Sequence, residues 1–229
     1  MNQPRLSQLD IWRNHESRVL RILFEALRIL QKKKLPLSET RLNRDLYFCL
    51  LEANRKLWEA GVGGFDHPPT PEGKNPPDPD DDYEARREKM IPDFYWSFID
   101  YLVTDPKRSG RFFFIECKRL GKPKRTDWIF NENYINHGVL RFVTEEHAYA
   151  QGEISSAMVG YVQNMEFDEI LREVNETAKA VSVPILVGPI GGWQKNDISI
   201  LEHELERPFP ISPLKLNHFW VDLRECELA

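Results

Sequence analysis

The stretch that decides the fold is MIPDFYWSFIDYLVTDPKRSGRFFFIECKRLGKPKR, residues 90–125. Two runs in it, 93–103 and 111–120, are rich in aromatic and β-branched residues, and this composition predicts β-strands. The segment TDPKRSG between them carries residues typical of turns. We therefore expect a hairpin or an adjacent pair of strands.

Three charged residues lie at the ends of these runs. Asp93 follows Pro92 at the start of the first run, and Glu116 and Lys118 stand near the end of the second. Because side chains alternate between the faces of a strand, Glu116 and Lys118 point the same way. Asp93 and Glu116 can then share one Mg²⁺ or Mn²⁺, with the backbone carbonyl of Cys117 as a further ligand. Lys118 would stand beside the attacking water, so the pattern predicts a metal site for phosphodiester hydrolysis.

Motifs this short also arise by chance. By average composition, a Pro-Asp pair followed by an acid-x-Lys triplet occurs in roughly one ordinary chain in ten. The chain contains other copies, all of them in its acidic loop or in a turn: Pro77-Asp78, Pro79-Asp80, Glu72-Gly73-Lys74 and Asp105-Pro106-Lys107. Asp93, Glu116 and Lys118 are embedded in strand-like runs with apolar neighbours, which favours a functional role for them.

This arrangement resembles the PD-(D/E)XK superfamily of restriction-endonuclease-like nucleases, over residues 38–189. The resemblance implies a core of one helix, three strands, a second helix and a further strand. It places the aspartate at the start of the second core strand and Glu-x-Lys on the third. It further implies a divalent-metal-dependent nuclease, with DNA favoured over RNA as substrate and a role in bacterial defence or restriction.

The resemblance also assigns assisting residues. Glu39 opens the second predicted helix and fits the acidic residue, here a further metal ligand, that many members carry on the first core helix. Glu52 on the same helix is the alternative. Gln151 fits the polar catalytic residue, often glutamine, that many members carry on the helix after the Glu-x-Lys strand.

A basic cluster follows the motif directly. Lysine and arginine hold a phosphate backbone without reading its sequence, so the cluster is a candidate nucleic-acid contact. A solvated surface loop is an equally good interpretation, and the sequence leaves both open. The candidate contacts are Arg119, Lys122, Lys124 and Arg125.

Apolar periodicity and turn residues predict the rest of an α/β domain, with a central mixed sheet and helices on its faces. The prediction of a helix at 144–165 is based on apolar residues at three- and four-residue intervals: Ala150, Ile154, Ala157, Met158, Tyr161, Val162 and Met165. We divide the chain into an amino-terminal helical extension, 1–37, and a nuclease-like domain, 38–229, that ends in a strand pair. The predicted helices are 6–33, 39–60, 144–165 and 166–182, and the later strands are 183–188, 197–204 and 214–223.

The net charge of −5 reflects one acidic loop. Residues 66–84 hold seven acids and one base, with six prolines between 68 and 79, and we expect this loop to be mobile. The remaining 30 bases and 29 acids are nearly balanced, so the charge does not exclude a nucleic-acid ligand. Three cysteines without a CxxC pair fit a reducing cytoplasm, and no apolar run reaches membrane-spanning length.

Two alternatives remain beside the nuclease. The first is a non-catalytic copy of the same fold that binds nucleic acid or assembles with protein. Its amino-terminal helix, with Trp12, is then the candidate contact for a second copy or a partner. The second is an interaction protein in which Glu116 and Lys118 form structural pairs, and it predicts that Asp93 and Glu116 lie apart. The presence of both acids and the lysine favours catalysis, because a dead copy has no chemical need for all three.

Overall fold

A mixed sheet of six strands organises the part of the chain that the computed structural model describes, residues 6–79, 86–122 and 129–226. The strand order is β1-β2-β3-β4-β6-β5; β3, β4 and β6 run parallel, and the other neighbours pair antiparallel. The strands are β1 Thr70–Pro71, β2 Phe94–Ile99, β3 Gly110–Leu120, β4 Ser155–Val162, β5 Ile198–Leu205 and β6 Leu214–Asp222.

Four α-helices within the described residues cover the two faces of the sheet. One hydrophobic core joins α1 and α2 to one face, and a second joins α3 and α4 to the other. The predicted α/β class, with a mixed sheet flanked by helices, is confirmed. The helices are α1 Leu6–Gln31, α2 Glu39–Glu59, α3 Phe130–Asn136 and α4 Phe167–Ala180.

The amino-terminal helix α1 packs within the molecule. Trp12 is buried, and its indole N–H donates to the hydroxyl of Ser155 on β4 at 2.9 Å. Its ring lies beside those of Phe98 and Phe113. The Trp12 side chain expected at a partner contact is therefore occupied inside the chain.

The predicted hairpin is confirmed by β2 and β3, which pair with Phe94 opposite Ile115. Alternation along β3 sends Phe113, Ile115 and Cys117 toward the α1–α2 core and Phe114 toward the α3–α4 core. Burial on both faces explains why this run contains so many aromatic residues.

The helix predicted at 144–165 is wrong. Residues 155–162 form β4, which lies between β3 and β6 and is buried at all eight positions. A central parallel strand covered on both faces is apolar throughout, so its residues also satisfy a helical period by coincidence. The two-residue alternation that marks a half-exposed strand is absent from this run, so the sequence pattern does not distinguish it from a buried helix.

The other predicted elements divide into confirmed and corrected ones. The helix at 166–182 is confirmed as α4, and the carboxy-terminal strand pair is confirmed as β5 and β6. Residues 183–188, all of them described, form no strand. In the proline-rich loop, β1 pairs with β2, while residues 80–85 lie outside the described residues. No helix in the described part of the chain is long and apolar enough to cross a membrane.

Gly160 offers a test of the strand at 155–162. A β-carbon added to it would contact Leu120 and would lie 2.7 Å from Cδ1 of Trp220. We expect Gly160→Ala to lower the free energy of unfolding by about 1–3 kcal/mol through overpacking. In an exposed helix the same change would stabilise by about 1 kcal/mol.

Urea unfolding measures the difference, and Gly152→Ala is the matched control. An added β-carbon at Gly152 meets nothing within 4 Å, so its effect should be near zero. A stabilised Gly160→Ala variant would contradict the strand.

Candidate active site

The hairpin register places Asp93, just before β2, at the level of Glu116 on β3. The Asp93 carboxylate is fixed at both oxygens. Its Oδ2 accepts the backbone N–H of Cys117 at 2.7 Å, and its Oδ1 accepts the Asn43 side-chain amide at 2.9 Å. Asp93 is thus held by the neighbouring strand and by α2 together.

Glu116 is fully buried and makes two ion pairs through one oxygen. Its Oε1 accepts from Lys118 Nζ at 2.7 Å and from Arg141 Nη1 at 2.6 Å. Its Oε2 is buried and has no hydrogen-bond partner among the residues that the structure describes. Since a buried carboxylate oxygen without a partner is costly, this atom is available to a further ligand.

The ammonium of Lys118 lies at the centre of the site. It donates to Glu116 Oε1 at 2.7 Å and to the carbonyl oxygen of Cys117 at 2.9 Å. Glu39 Oε1 lies 3.3 Å away, and Asp93 Oδ2 lies 3.9 Å away. Four oxygen atoms from α2, the start of β2 and β3 therefore surround a single cation, and the structure brings Asp93 and Glu116 together. We call these five residues (Glu39, Asp93, Glu116, Cys117 and Lys118) the ion cluster.

Burial and like charge both act on Asp93. Desolvation, followed by the neighbouring charge of Glu116, raises the pKa of Asp93 to about 8. The pKa of Lys118 shifts in the direction opposite to the usual effect of burial. Desolvation lowers its pKa, but Glu116, Asp93 and Glu39 together outweigh it and raise the pKa above the ordinary value. The lysine therefore stays charged at neutral pH.

A second layer orients Asp93. The hydroxyl of Tyr161, a buried residue of β4, donates to Asn43 Oδ1 at 2.9 Å. Because that oxygen is an acceptor, the amide nitrogen of Asn43 faces Asp93 and donates to it. Sequence reasoning missed both residues, since no motif links positions 118 residues apart.

Gln151 does not lie on a helix. It lies in a turn, half-buried, with its backbone N–H bonded to the carbonyl of Ala148. The helical segment that does follow β3 is α3, which begins at Phe130, with a short 3-10 helix, Val139–Phe142. Arg141 on that 3-10 helix supplies the polar contact to Glu116. The helix that was expected to carry Gln151 is therefore absent, and a catalytic role for Gln151 stays a prediction.

Between the two predicted acids on α2, the geometry selects Glu39. Glu52 is exposed and pairs with Lys56 one helical turn away at 2.6 Å. In the basic cluster, Arg119 lies beside Lys118 in the wall of a cavity next to the ion cluster. Lys122 is exposed, and its backbone N–H donates to Asn164 Oδ1. Lys124 and Arg125 lie outside the described residues.

No group of three or more His, Cys, Asp and Glu side chains in the described part of the chain is arranged to hold a metal ion. The atoms around the ammonium nevertheless fit one. Carboxylate oxygens of Asp93, Glu116 and Glu39 and the Cys117 carbonyl are the hard donors that Mg²⁺ and Mn²⁺ take. The unpartnered Oε2 of Glu116 adds a free ligand atom.

Comparison with protein-family models, with curated proteins and with solved structures gives no match for this chain. The assignment of chemistry to the site therefore rests on its own geometry.

The raised pKa of Asp93 predicts a pH dependence of stability. Between its ordinary value near 3.8 and about 8, the folded state binds more protons than the unfolded state. The free energy of unfolding should therefore fall as pH rises through this window, by up to about 1.4 kcal/mol per pH unit. We expect Asp93→Asn to remove this slope.

The measurement is urea unfolding in EDTA across that pH window. Asp105→Asn, in an exposed turn, is the control and should keep the wild-type slope. Identical slopes for wild type and Asp93→Asn would show that Asp93 does not bind this proton.

Proposed function

We propose that this chain is a divalent-metal-dependent nuclease of the PD-(D/E)XK type, which hydrolyses phosphodiester bonds of nucleic acid, with DNA favoured over RNA. The observation that carries the proposal is the ion cluster, in which four oxygens converge on one cation. A cavity whose lining includes three cationic side chains, Lys118, Arg119 and Arg141, opens beside it. Hard oxygen donors next to positive charge suit hydrolysis of an anionic ester.

The order of elements supports the same proposal. From Glu39 to Val162 the described chain runs through α2, β1, β2, β3, α3 and β4, which is one helix, three strands, a helix and a strand. Asp93 directly precedes the second of these strands, and Glu116 and Lys118 lie on the third. This is the order that the sequence resemblance implies.

Each residue of the ion cluster has a role in the proposed reaction. Bound Mg²⁺ or Mn²⁺ supplies Lewis-acid stabilisation of charge on the phosphate and lowers the pKa of a bound water. Asp93, Glu116 and the Cys117 carbonyl hold the ion, and Glu39 assists from α2. Lys118 donates a hydrogen bond to the attacking water, which orients it. Asn43 keeps the Asp93 carboxylate facing the cluster.

The purely structural alternative predicts that Asp93 and Glu116 lie apart. Both carboxylates instead contact the same ammonium, at 3.9 and 2.7 Å. This geometry favours a site over two unrelated surface pairs. The non-catalytic nuclease fold remains as the competing outcome of the assay below.

We expect the wild type to cut nucleic acid with Mg²⁺ or Mn²⁺ and to be silent in EDTA. Asp93→Ala and Lys118→Ala should each lower the rate by at least about 100-fold, because they remove a metal ligand and the group that orients the water. The assay compares supercoiled plasmid, linear duplex, single-stranded DNA and RNA, and so also identifies the substrate.

Matched controls come from another acid-x-Lys copy in the chain, Asp105-Pro106-Lys107. Asp105 and Lys107 lie in an exposed turn, and their alanine variants should cut like the wild type. A folded wild type that neither cuts any substrate nor binds Mn²⁺ would exclude the nuclease and favour the binding module.

Lys118 gives a second prediction, on metal affinity alone. Its ammonium competes with a metal for the same oxygens, so Lys118→Met should bind Mn²⁺ at least about tenfold more tightly than the wild type while having lost cleavage. Titration calorimetry measures the affinity, with Lys107→Met as the control. Unchanged or weaker Mn²⁺ binding by a folded Lys118→Met variant would contradict the proposal that the ammonium and the metal compete for the same oxygens.

A further inference from the structure

The cavity beside the ion cluster has a volume of about 240 Å³. It opens at the carboxyl end of β3, between the start of α2 and helix α3. Its wall includes Glu39, Lys118, Arg119, Phe130 and Arg141. Of the seven side chains that line it, three are lysine or arginine and one is an acid, in a chain whose overall charge is negative.

Arg119 differs from the other two cations of this wall. Lys118 and Arg141 both form ion pairs with Glu116. The guanidinium of Arg119 is half-buried and lies 4.2 Å from the centre of the Phe130 ring. No hydrogen bond or ion pair joins it to any residue that the structure describes, and its Nε is buried without a partner.

An arginine in this position is costly for the folded chain. Stacking on the Phe130 ring leaves the buried Nε–H without an acceptor, and a buried donor without a partner is unfavourable. A site that retains such a group fits an anionic ligand that completes it.

We propose that this cavity anchors one phosphate group of the substrate strand through the Arg119 guanidinium, next to the bond that is cut. The proposal rests on the nuclease function above. A planar guanidinium offers two parallel N–H donors, which match two oxygens of a phosphate. Phe130 holds the plane of the guanidinium, and Arg141 adds positive charge on the same wall.

The cavity volume restricts what enters. It has room for a phosphate and part of a sugar, and not for a whole duplex. The phosphate can come from a strand terminus or from a continuous backbone. The shared chemistry is a phosphate on a single strand, and the experiment separates its two sources.

The test measures binding in EDTA, where metal-dependent cleavage is absent. Three fluorescent single-stranded DNA probes of one sequence are used: 5′-phosphorylated linear, 5′-hydroxyl linear and circular. We expect Arg119→Met to weaken binding at least about tenfold and to lower the slope of log K against log salt by about one. Arg119→Lys keeps the charge but loses the two parallel N–H donors, so its affinity should lie between those of the wild type and Arg119→Met. Arg55→Met is the control, because Arg55 is exposed on α2 and pairs with Glu59.

The probes assign the source of the phosphate. A loss confined to the 5′-phosphorylated probe supports a terminal phosphate, and an equal loss on all three supports a backbone phosphate. If the Arg119→Met variant binds every probe as tightly as the Arg55→Met variant, the proposal that Arg119 anchors a phosphate is wrong.

Thermal stability excludes a merely structural arginine. Arg207 donates three hydrogen bonds from its side chain to backbone carbonyls, so Arg207→Met should lower the melting temperature. Arg119→Met removes an unpaired charge and keeps an apolar contact with Phe130, so its melting temperature should equal or exceed that of the wild type. A fall as large as that of Arg207→Met would overturn the proposal.

Failure of the anchor and failure of the nuclease are distinguishable. A wild type that binds the probes through Arg119 but never cuts with any metal would retain the anchor and reject the nuclease. A wild type that cuts with metal, beside an Arg119→Met variant that binds and cuts equally well, would retain the nuclease and reject the anchor.

Discussion

Lys118 carries its ammonium into the interior at the end of β3, and three parts of the chain meet around that charge. An ammonium at this depth is several kcal/mol unfavourable unless oxygen atoms surround it. The oxygens come from α2, from the chain before β2 and from β3 itself. Displacing any one of these elements would leave the ammonium or a carboxylate unpaired, so the site and the local fold are stabilised together.

The sheet enforces this arrangement through its register. A slip of one residue between β2 and β3 would turn Glu116 and Lys118 toward the α1–α2 core. It would turn Phe113 and Ile115 away from that core, toward the α3–α4 side of the sheet. The apolar residues of the hairpin therefore fix which face carries the charges. The parallel partner β4 adds Tyr161, which reaches Asp93 through Asn43. The register of the strands therefore determines both the packing of the core and the orientation of the site.

Local patterns in the sequence were sufficient for the hairpin, α2, α4 and the carboxy-terminal strands, because turn residues and periodicity mark each of them. They also located Asp93, Glu116 and Lys118, whose spacing reflects strand alternation. They failed at β4, where burial on both faces removes the alternation, and this error also placed Gln151 on a helix. The contacts of Arg141, Asn43 and Tyr161 depend on how distant elements pack, and no local pattern encodes that.

The ion cluster also shows a tension between stability and chemistry. Together with Arg141 it contains three carboxyl groups and two cations, so ionising all three carboxyl groups would leave one negative charge uncompensated. Desolvation and the charge of Glu116 raise the pKa of Asp93 to about 8, so Asp93 is the carboxyl group that holds a proton at neutral pH. A divalent cation held by the same oxygens would reduce the repulsion between the carboxylates, and it would compete with the Lys118 ammonium for them. The group that stabilises the site is thus the group with which the proposed metal would compete, and in the proposed reaction the ammonium would then donate to the attacking water instead.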